Sequence, residues 1–166
     1  MLVRRELPED TTVVTEVHRA AFDGETEASL VTALRADAGW LPALSMVAVL
    51  DGAVVGHVVC TRATVGGMPA LGLGPLGVLP HHQRRRVGTA LMHAVLGAAD
   101  ALDEPVVVLL GHTDYYPRFG FRPAAEFGIT PPVAEWASHF QARALTAYRP
   151  EVRGHFTYAA PFQKLD

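Results

Sequence analysis

Between Leu76 and Leu91 the chain runs Leu-Gly-Val-Leu-Pro-His-His-Gln-Arg-Arg-Arg-Val-Gly-Thr-Ala-Leu, and the donors gathered there suit an anionic ligand. Upstream, Ala70 to Val78 is apolar, spaced by glycine and stopped by Pro80, as a strand end should be. Downstream, Val87, Ala90, Leu91, Ala94, Val95, Ala98 and Leu102 recur at helical spacing. The turn therefore opens a helix, where about four backbone N–H groups lack partners and about half a positive charge accumulates. Gln83, Arg84, Arg85 and Arg86 add donors and charge, and Gly88 lets a ligand come close to the backbone. A diphosphate fits this description.

Three further groups carry chemistry. Gly111-His112-Thr113-Asp114-Tyr115-Tyr116-Pro117-Arg118-Phe119-Gly120-Phe121 offers an imidazole and two phenols. A phenol titrates near about 10 and stays protonated at pH 7, while a thiolate, near about 8.5, can accept from it. Asp23, Glu25 and Glu27 form an acidic junction that suits an amine, and Glu27, at a helix start, is the most firmly held of the three. His112 titrates in the useful range for a base. Each also has a plain structural reading: packing for the tyrosines and His112, solvation for the carboxylates. His18 reads as helix surface or core edge rather than as a ligand.

The elements that must position these residues follow from periodicity and punctuation. Val3 to Glu6 suits a short strand, and Thr11 or Thr12 caps a helix to Phe22 with Val14, Val17, His18 and Ala21 as its stripe. A second helix covers Glu27 to Ala38, with Leu30, Val31 and Leu34 inward and Gly39 as its stop. Ser45 to Leu50 and Ala53 to Ala63 flank Asp51-Gly52, a strong hairpin signal. After Gly66-Gly67 a third antiparallel strand runs from Ala70 to Leu79, and Gly72, Gly74 and Gly77 mark a bulge or a close approach within it. A strand splayed there leaves N–H groups unpaired. Val106 to Leu110 reads as a strand buried on both faces, so strand, helix and strand form a parallel crossover with its ligand end at the arginine turn and at Gly111. Thr113 or Asp114 caps a short helix ended by Gly120, and Phe121 starts another strand. Pro123 to Pro132 is loop, Val133 to Tyr148 irregular or partly helical with Trp136, Phe140 and Tyr148 as packing, and Gly154 to Phe162 a last strand.

The pattern Leu76-x-Val78-x-Pro80-x-x-Gln83-x-x-Arg86-x-Gly88 resembles the acyl-CoA signature of the GNAT-type N-acetyltransferases, and Tyr116-x-x-Phe119-Gly120-Phe121 resembles their second hallmark. Arg86 stands where the signature has its first Gly; the backbone donors survive if Arg86 takes helical dihedrals. The resemblance implies an α/β GNAT fold spanning residues 1–166 as one domain, with a mixed sheet of about six to seven strands splayed at the acyl-CoA site and about four helices. It implies acetyl-CoA as co-substrate, held by Leu76, Gly77, Val78, Gln83, Arg84, Arg85, Arg86, Val87, Gly88 and Thr89. The thioester carbonyl would face the Val78 N–H, with the pantetheine arm paired to Leu76 and Val78 like an added strand. Tyr116 matches the general acid, with Tyr115 as its alternate. Glu27, His112 and an ordered water are equal candidates for the base that must neutralise an alkyl amine of pKa near about 10.4. The reaction expected is direct transfer to a small-molecule or peptide amine; the alternative is a non-catalytic acyl-CoA binding module. Dimerisation is left open.

Composition narrows the classes. With 166 residues, 49% hydrophobic and 19% charged, the chain suits one globular domain with a substantial core. A net charge of −3 disfavours a nucleic-acid partner. Cys60 stands alone and reads as core, no cluster has zinc spacing, and no cysteine is placed as an acyl carrier. Met-Leu-Val-Arg-Arg-Glu does not develop a signal peptide, so a cytoplasmic location is the default. Ala63 to His82 lacks charged residues, yet its five glycines and three prolines exclude a lipid-exposed helix.

Overall fold

A computed structural model describes residues 1–164. Seven strands of four or more residues form the body of one mixed sheet: β1 Leu2–Arg5, β2 Ser45–Leu50, β3 Ala53–Val65, β4 Met68–Val78, β5 Val106–Leu110, β8 Phe140–Ala144 and β9 Gly154–Thr157. Two-residue strands, β6 Arg122–Pro123 and β7 Ile129–Thr130, extend its margins. The order is β1-β2-β3-β4-β5-β8-β6, with β9 bridging β3 and β7. The helices are α1 Thr11–Ala21, α2 Thr26–Arg35 and α3 Val87–Ala101; the place of a fourth, after β5, is taken by a 3-10 turn over Tyr116–Phe119. Among the described residues no helix is long and apolar enough to cross a membrane.

The hairpin turns at Asp51, whose φ is +50°, and Gly52, and β2 pairs with β3 in antiparallel register. Helix α2 ends at Arg35, short of the expected Ala38, because the chain turns through Asp37, whose carboxylate accepts from the Gly39 N–H at 2.8 Å. β8 lies inside a stretch read as irregular. Its Phe140, Gln141 and Ala142 are buried together, a run without the alternation that marks a half-exposed strand. The last strand is shorter than expected and gives way to a 3-10 turn over Ala160–Lys164.

Two apolar layers enclose the sheet. Leu91, Met92, Val95 and Ala99 of α3 pack on Val58, Cys60, Leu71, Leu73, Val107 and Leu109. On the other side Val14, Val17 and Val31 of α1 and α2 meet Val47 and Val54, and Phe140 and Phe156 close the far end.

A polar chain threads the α1 side. His18, expected at the surface or core edge, is fully buried, because the α1 stripe turns it onto β3 and β4. Its Nε2 lies 2.7 Å from His57 Nδ1, and His57 Nε2 lies 2.8 Å from Ser45 Oγ. Ser45 donates to Glu6 at 3.1 Å, and Arg35 donates to the other Glu6 oxygen at 2.5 Å. Burial, then the Arg35 charge, pushes His18 down to about 4; burial, then His18, then Arg35 hold His57 well below its ordinary value. Both rings are therefore neutral in the folded state near pH 7. The unfolded chain protonates such rings near about pH 6.5 and the folded chain does not, so stability is full above that pH and is lost as pH falls toward 4, by up to about 1.4 kcal/mol per pH unit for each ring. The urea midpoint is expected to be lower at pH 5 than at pH 7; a level or rising midpoint would contradict neutral buried rings.

Candidate active site

β4 and β5 are parallel neighbours only at Leu71↔Val107 and Gly72↔Val108. Beyond this point they part. Between Val58↔Leu76 and Cys60↔Leu73 the β3 ladder skips, so Gly74 and Pro75 lie opposite Val59 alone. Such a bulge bends its strand and leaves residues off the ladder. From Leu73 to Val78, apart from the bulge, β4 is paired to β3 on one edge and, among the described residues, to no strand on the other. The bulge expected from the strand glycines thus falls where the sheet splits.

The arginine turn closes the open end. The Gln83 side-chain amide donates to the Val78 carbonyl at 3.0 Å, tying the turn to the end of β4. Arg86, the residue before α3, has φ 66° and ψ 15°, a left-handed conformation, so the condition of helical dihedrals is not met. An arginine there keeps the backbone shape that a glycine would favour, at about 1 to 2 kcal/mol. Arg84 is also left-handed, at φ 62°.

Between β4, the turn and the segment after β5 lies a cleft of about 510 Å³ lined by Leu76, Val78, Gln83, Arg84, Arg86, Gly88, Thr89, Tyr115 and Arg118. Of the ten residues expected to hold a cofactor, seven line it. The other three do not. Val87, the first residue of α3, is buried in the core, Arg85 is exposed to solvent, and Gly77 faces the α1 side, where a Cβ would lie 2.7 Å from His18 Nδ1.

Arg118 was not anticipated. Its guanidinium lies 4.6 Å from the centre of the Tyr115 ring, and its Nε donates to the Tyr115 carbonyl at 2.9 Å. The i, i+3 spacing within Tyr115-Tyr116-Pro117-Arg118 is the signal for it. With Arg84, Arg86 and the α3 N-terminus it makes the cleft cationic at one end.

Only one of the two tyrosines lines the cleft. Tyr115 lines it at the α3 end: a Cβ at Gly88 would lie 3.0 Å from the Tyr115 hydroxyl, and Thr89 lines the cleft beside it. Burial raises the Tyr115 pKa against the opposing pulls of Thr89 and Arg118. Tyr116 instead packs at the end of β5, where its ring takes the space a Cβ at Gly111 would need, and it stacks edge-on with Phe121 at 5.9 Å. Burial, then Tyr115, pushes its phenol up to about 12. Tyr116 thus stands just past the end of β5, outside the residues that line the cleft.

The candidate bases are less close. His112 is exposed; its carbonyl accepts from the Gln141 side chain, and its ring is not in the cleft wall. Glu25 is engaged by Arg19, which Glu16 also holds. Glu27 is half-buried in the first turn of α2 and has no side-chain partner among the described residues, but it does not line the cleft. Cys60 is fully buried, with its thiol pushed up by burial and by Glu104. Trp136 borders a separate pocket with His155 and Phe162.

A family model described as Acetyltransferase (GNAT) domain matches residues 3–124. The chain belongs to the GNAT acetyltransferase family. It is 36% identical over 160 residues to an uncharacterised N-acetyltransferase of Escherichia coli K12, YjhQ, covering 92% of this chain and 88% of that one. Among solved structures, the GNAT family N-acetyltransferase YhbS of Escherichia coli, crystallised with CoA, superimposes with a TM-score of 0.92 at 29% identity, covering 99% of this chain and 93% of that one. A GNAT family acetyltransferase of Brucella melitensis, crystallised with acetyl-CoA, superimposes with a TM-score of 0.81 at 32% identity over 97% of each chain.

Proposed function

We propose that the protein transfers an acetyl group from acetyl-CoA to a primary amine by direct attack in a ternary complex. The observation that carries this reading is one cleft bordered by an unpaired β4 edge and an arginine-lined helix start, with the buried phenol of Tyr116 just past the end of β5. Crystals of two relatives with CoA and acetyl-CoA support it.

Each part has a task set by its chemistry. The free N–H groups of α3, with Arg84, Arg86 and Arg118, hold the diphosphate, and the Tyr115 hydroxyl and Thr89 border it. The free edge of β4 pairs with the pantetheine arm as an added strand would, and the Val78 N–H donates to the carbonyl oxygen as charge develops there. Tyr116, protonated at every working pH, donates to the departing thiolate. No cysteine in the cleft wall can carry the acetyl group. The acceptor enters from the α1–α2 side, where Glu27 offers a carboxylate to an ammonium.

Thiol release from acetyl-CoA, followed with ethylamine, spermidine, an aminoglycoside and a peptide with a free N-terminus, is expected to show turnover with at least one of them. Tight acetyl-CoA binding with turnover on none would favour a binding module without transferase chemistry.

A further inference from the structure

The pocket bordered by Trp136 meets the split in the sheet at one residue, Tyr158. Leu71 and Leu73 pack under α3, so alternation turns Gly72 to the opposite face of β4, and Gly72 belongs to the last rung that joins β4 to β5. The Tyr158 ring covers that rung: a Cβ at Gly72 would lie 2.9 Å from it. Burial raises the Tyr158 phenol against the opposing pull of the Leu110 backbone, which sets the hydroxyl beside the last residue of β5. Tyr158 therefore crosses from β4 to β5 where the strands begin to part, on the face away from α3. The same residue lines the pocket, a cavity of about 310 Å³ that Val133, Trp136, His155, Phe156 and Phe162 also line. Val133 and His155 are exposed, so the pocket opens to solvent. Among the described residues no Asp, Glu, Lys or Arg lines it, and a phosphate, a carboxylate or a polyamine finds no counter-charge there. Its aromatic rings form an array: Tyr158 stacks on Phe162 at 4.4 Å and meets Phe156 edge-on at 4.6 Å.

We infer that this pocket is a subsite for the acceptor and that the acceptor is a small amine carrying an aromatic ring. This rests on the transferase reading above. The ring extends the aromatic array beside Trp136 and Tyr158, and the amine reaches past the edge of Tyr158 into the gap between β4 and β5. There it meets a thioester laid along the β4 edge from the face opposite α3. Stacked or edge-on rings centre about 4.5 to 7 Å apart, and a two-carbon linker continues that span into the gap. Phe162 also packs with Leu30 of α2, and Glu27 stands one turn before Leu30. The carboxylate offered to the ammonium and the pocket offered to the ring thus belong to one wall. A cavity of about 310 Å³ is at the small end of ligand pockets and takes a ring rather than a length of peptide.

2-Phenylethylamine is ethylamine with one ring added, and the pair isolates what the pocket contributes. With the wild type, kcat/KM for 2-phenylethylamine is expected to exceed that for ethylamine by about ten- to a hundredfold, the range for burying a phenyl group. Trp136→Ala should remove about tenfold of that advantage. A measurement without turnover accompanies it. Trp40 and Trp136 are the two tryptophans of the chain, so their indole N–H signals are readily told apart by the variant. In the CoA-bound wild type, 2-phenylethylamine should shift the Trp136 signal more than that of Trp40, and ethylamine should shift neither. 2-Phenylethylamine used no better than ethylamine, an advantage kept in full by folded Trp136→Ala, or a Trp136 signal that does not move would overturn the subsite and leave the transferase reading standing. A shifted Trp136 signal with no amine acetylated would instead overturn the transferase reading, and with it the pocket's role as an acceptor subsite.

Discussion

Gly88→Asp is expected to weaken acetyl-CoA binding by at least about a hundredfold, or about 2.7 kcal/mol. Two effects combine. A Cβ at this position would lie 3.0 Å from the Tyr115 hydroxyl, so the new side chain displaces the phenol that borders the cleft. The carboxylate would then stand at the start of α3, where the unpaired N–H groups await an anion, and would satisfy them in place of the diphosphate. A carboxylate there suits the helix itself, so the fold should hold while binding fails. Gly88→Ala separates the two effects, since it brings the bulk without the charge, and its loss should be much the smaller. Isothermal calorimetry reads both. Equal affinities for wild type and Gly88→Asp would remove the diphosphate from this turn.

Tyr116→Phe should lower kcat about a hundredfold and leave acetyl-CoA affinity within about twofold, the pattern of a group that acts in the transition state alone. Burial holds this phenol protonated, up to about 12, and Gly111 leaves space for its ring at the end of β5. Tyr115→Phe should do the opposite. Its hydroxyl borders Gly88 and Thr89 at the diphosphate end, so its loss should weaken affinity more than kcat. Steady-state kinetics beside calorimetry divide the two roles. Parallel losses in kcat and affinity for Tyr116→Phe would make it a packing residue.

The sites that sequence patterns revealed were those where local chemistry and local structure coincide. The Asp51-Gly52 hairpin, the α3 stripe and the Gln83 to Gly88 turn each depend on neighbours within about one helix or hairpin length, which is the range of periodicity and turn signals. The strand glycines even pointed to the bulge at Gly74 and Pro75. What stayed hidden depends on long-range contact. His18 and His57 are 39 positions apart, and Ser45 and Glu6 are likewise 39 apart, so nothing in spacing joins them. β8 was obscured because its buried residues do not alternate, and Gln141 at 3% exposure reads from sequence as surface. Gly77 was expected to face the cofactor; strand alternation puts it on the opposite face from Leu76 and Val78, a consequence that follows once the register is known.

On the proposed reading the split sheet and the helix start grip one molecule between them, with its sulfur beside a phenol. A crystal structure of the protein with CoA tests this most directly. The expected result is a diphosphate on the α3 N-terminus within reach of Arg84, Arg86 and Arg118, a pantetheine arm paired with the β4 edge at Leu76 and Val78, and the Tyr116 hydroxyl in hydrogen-bonding contact with the sulfur. A coenzyme bound elsewhere, or a sulfur well beyond reach of Tyr116, would contradict it.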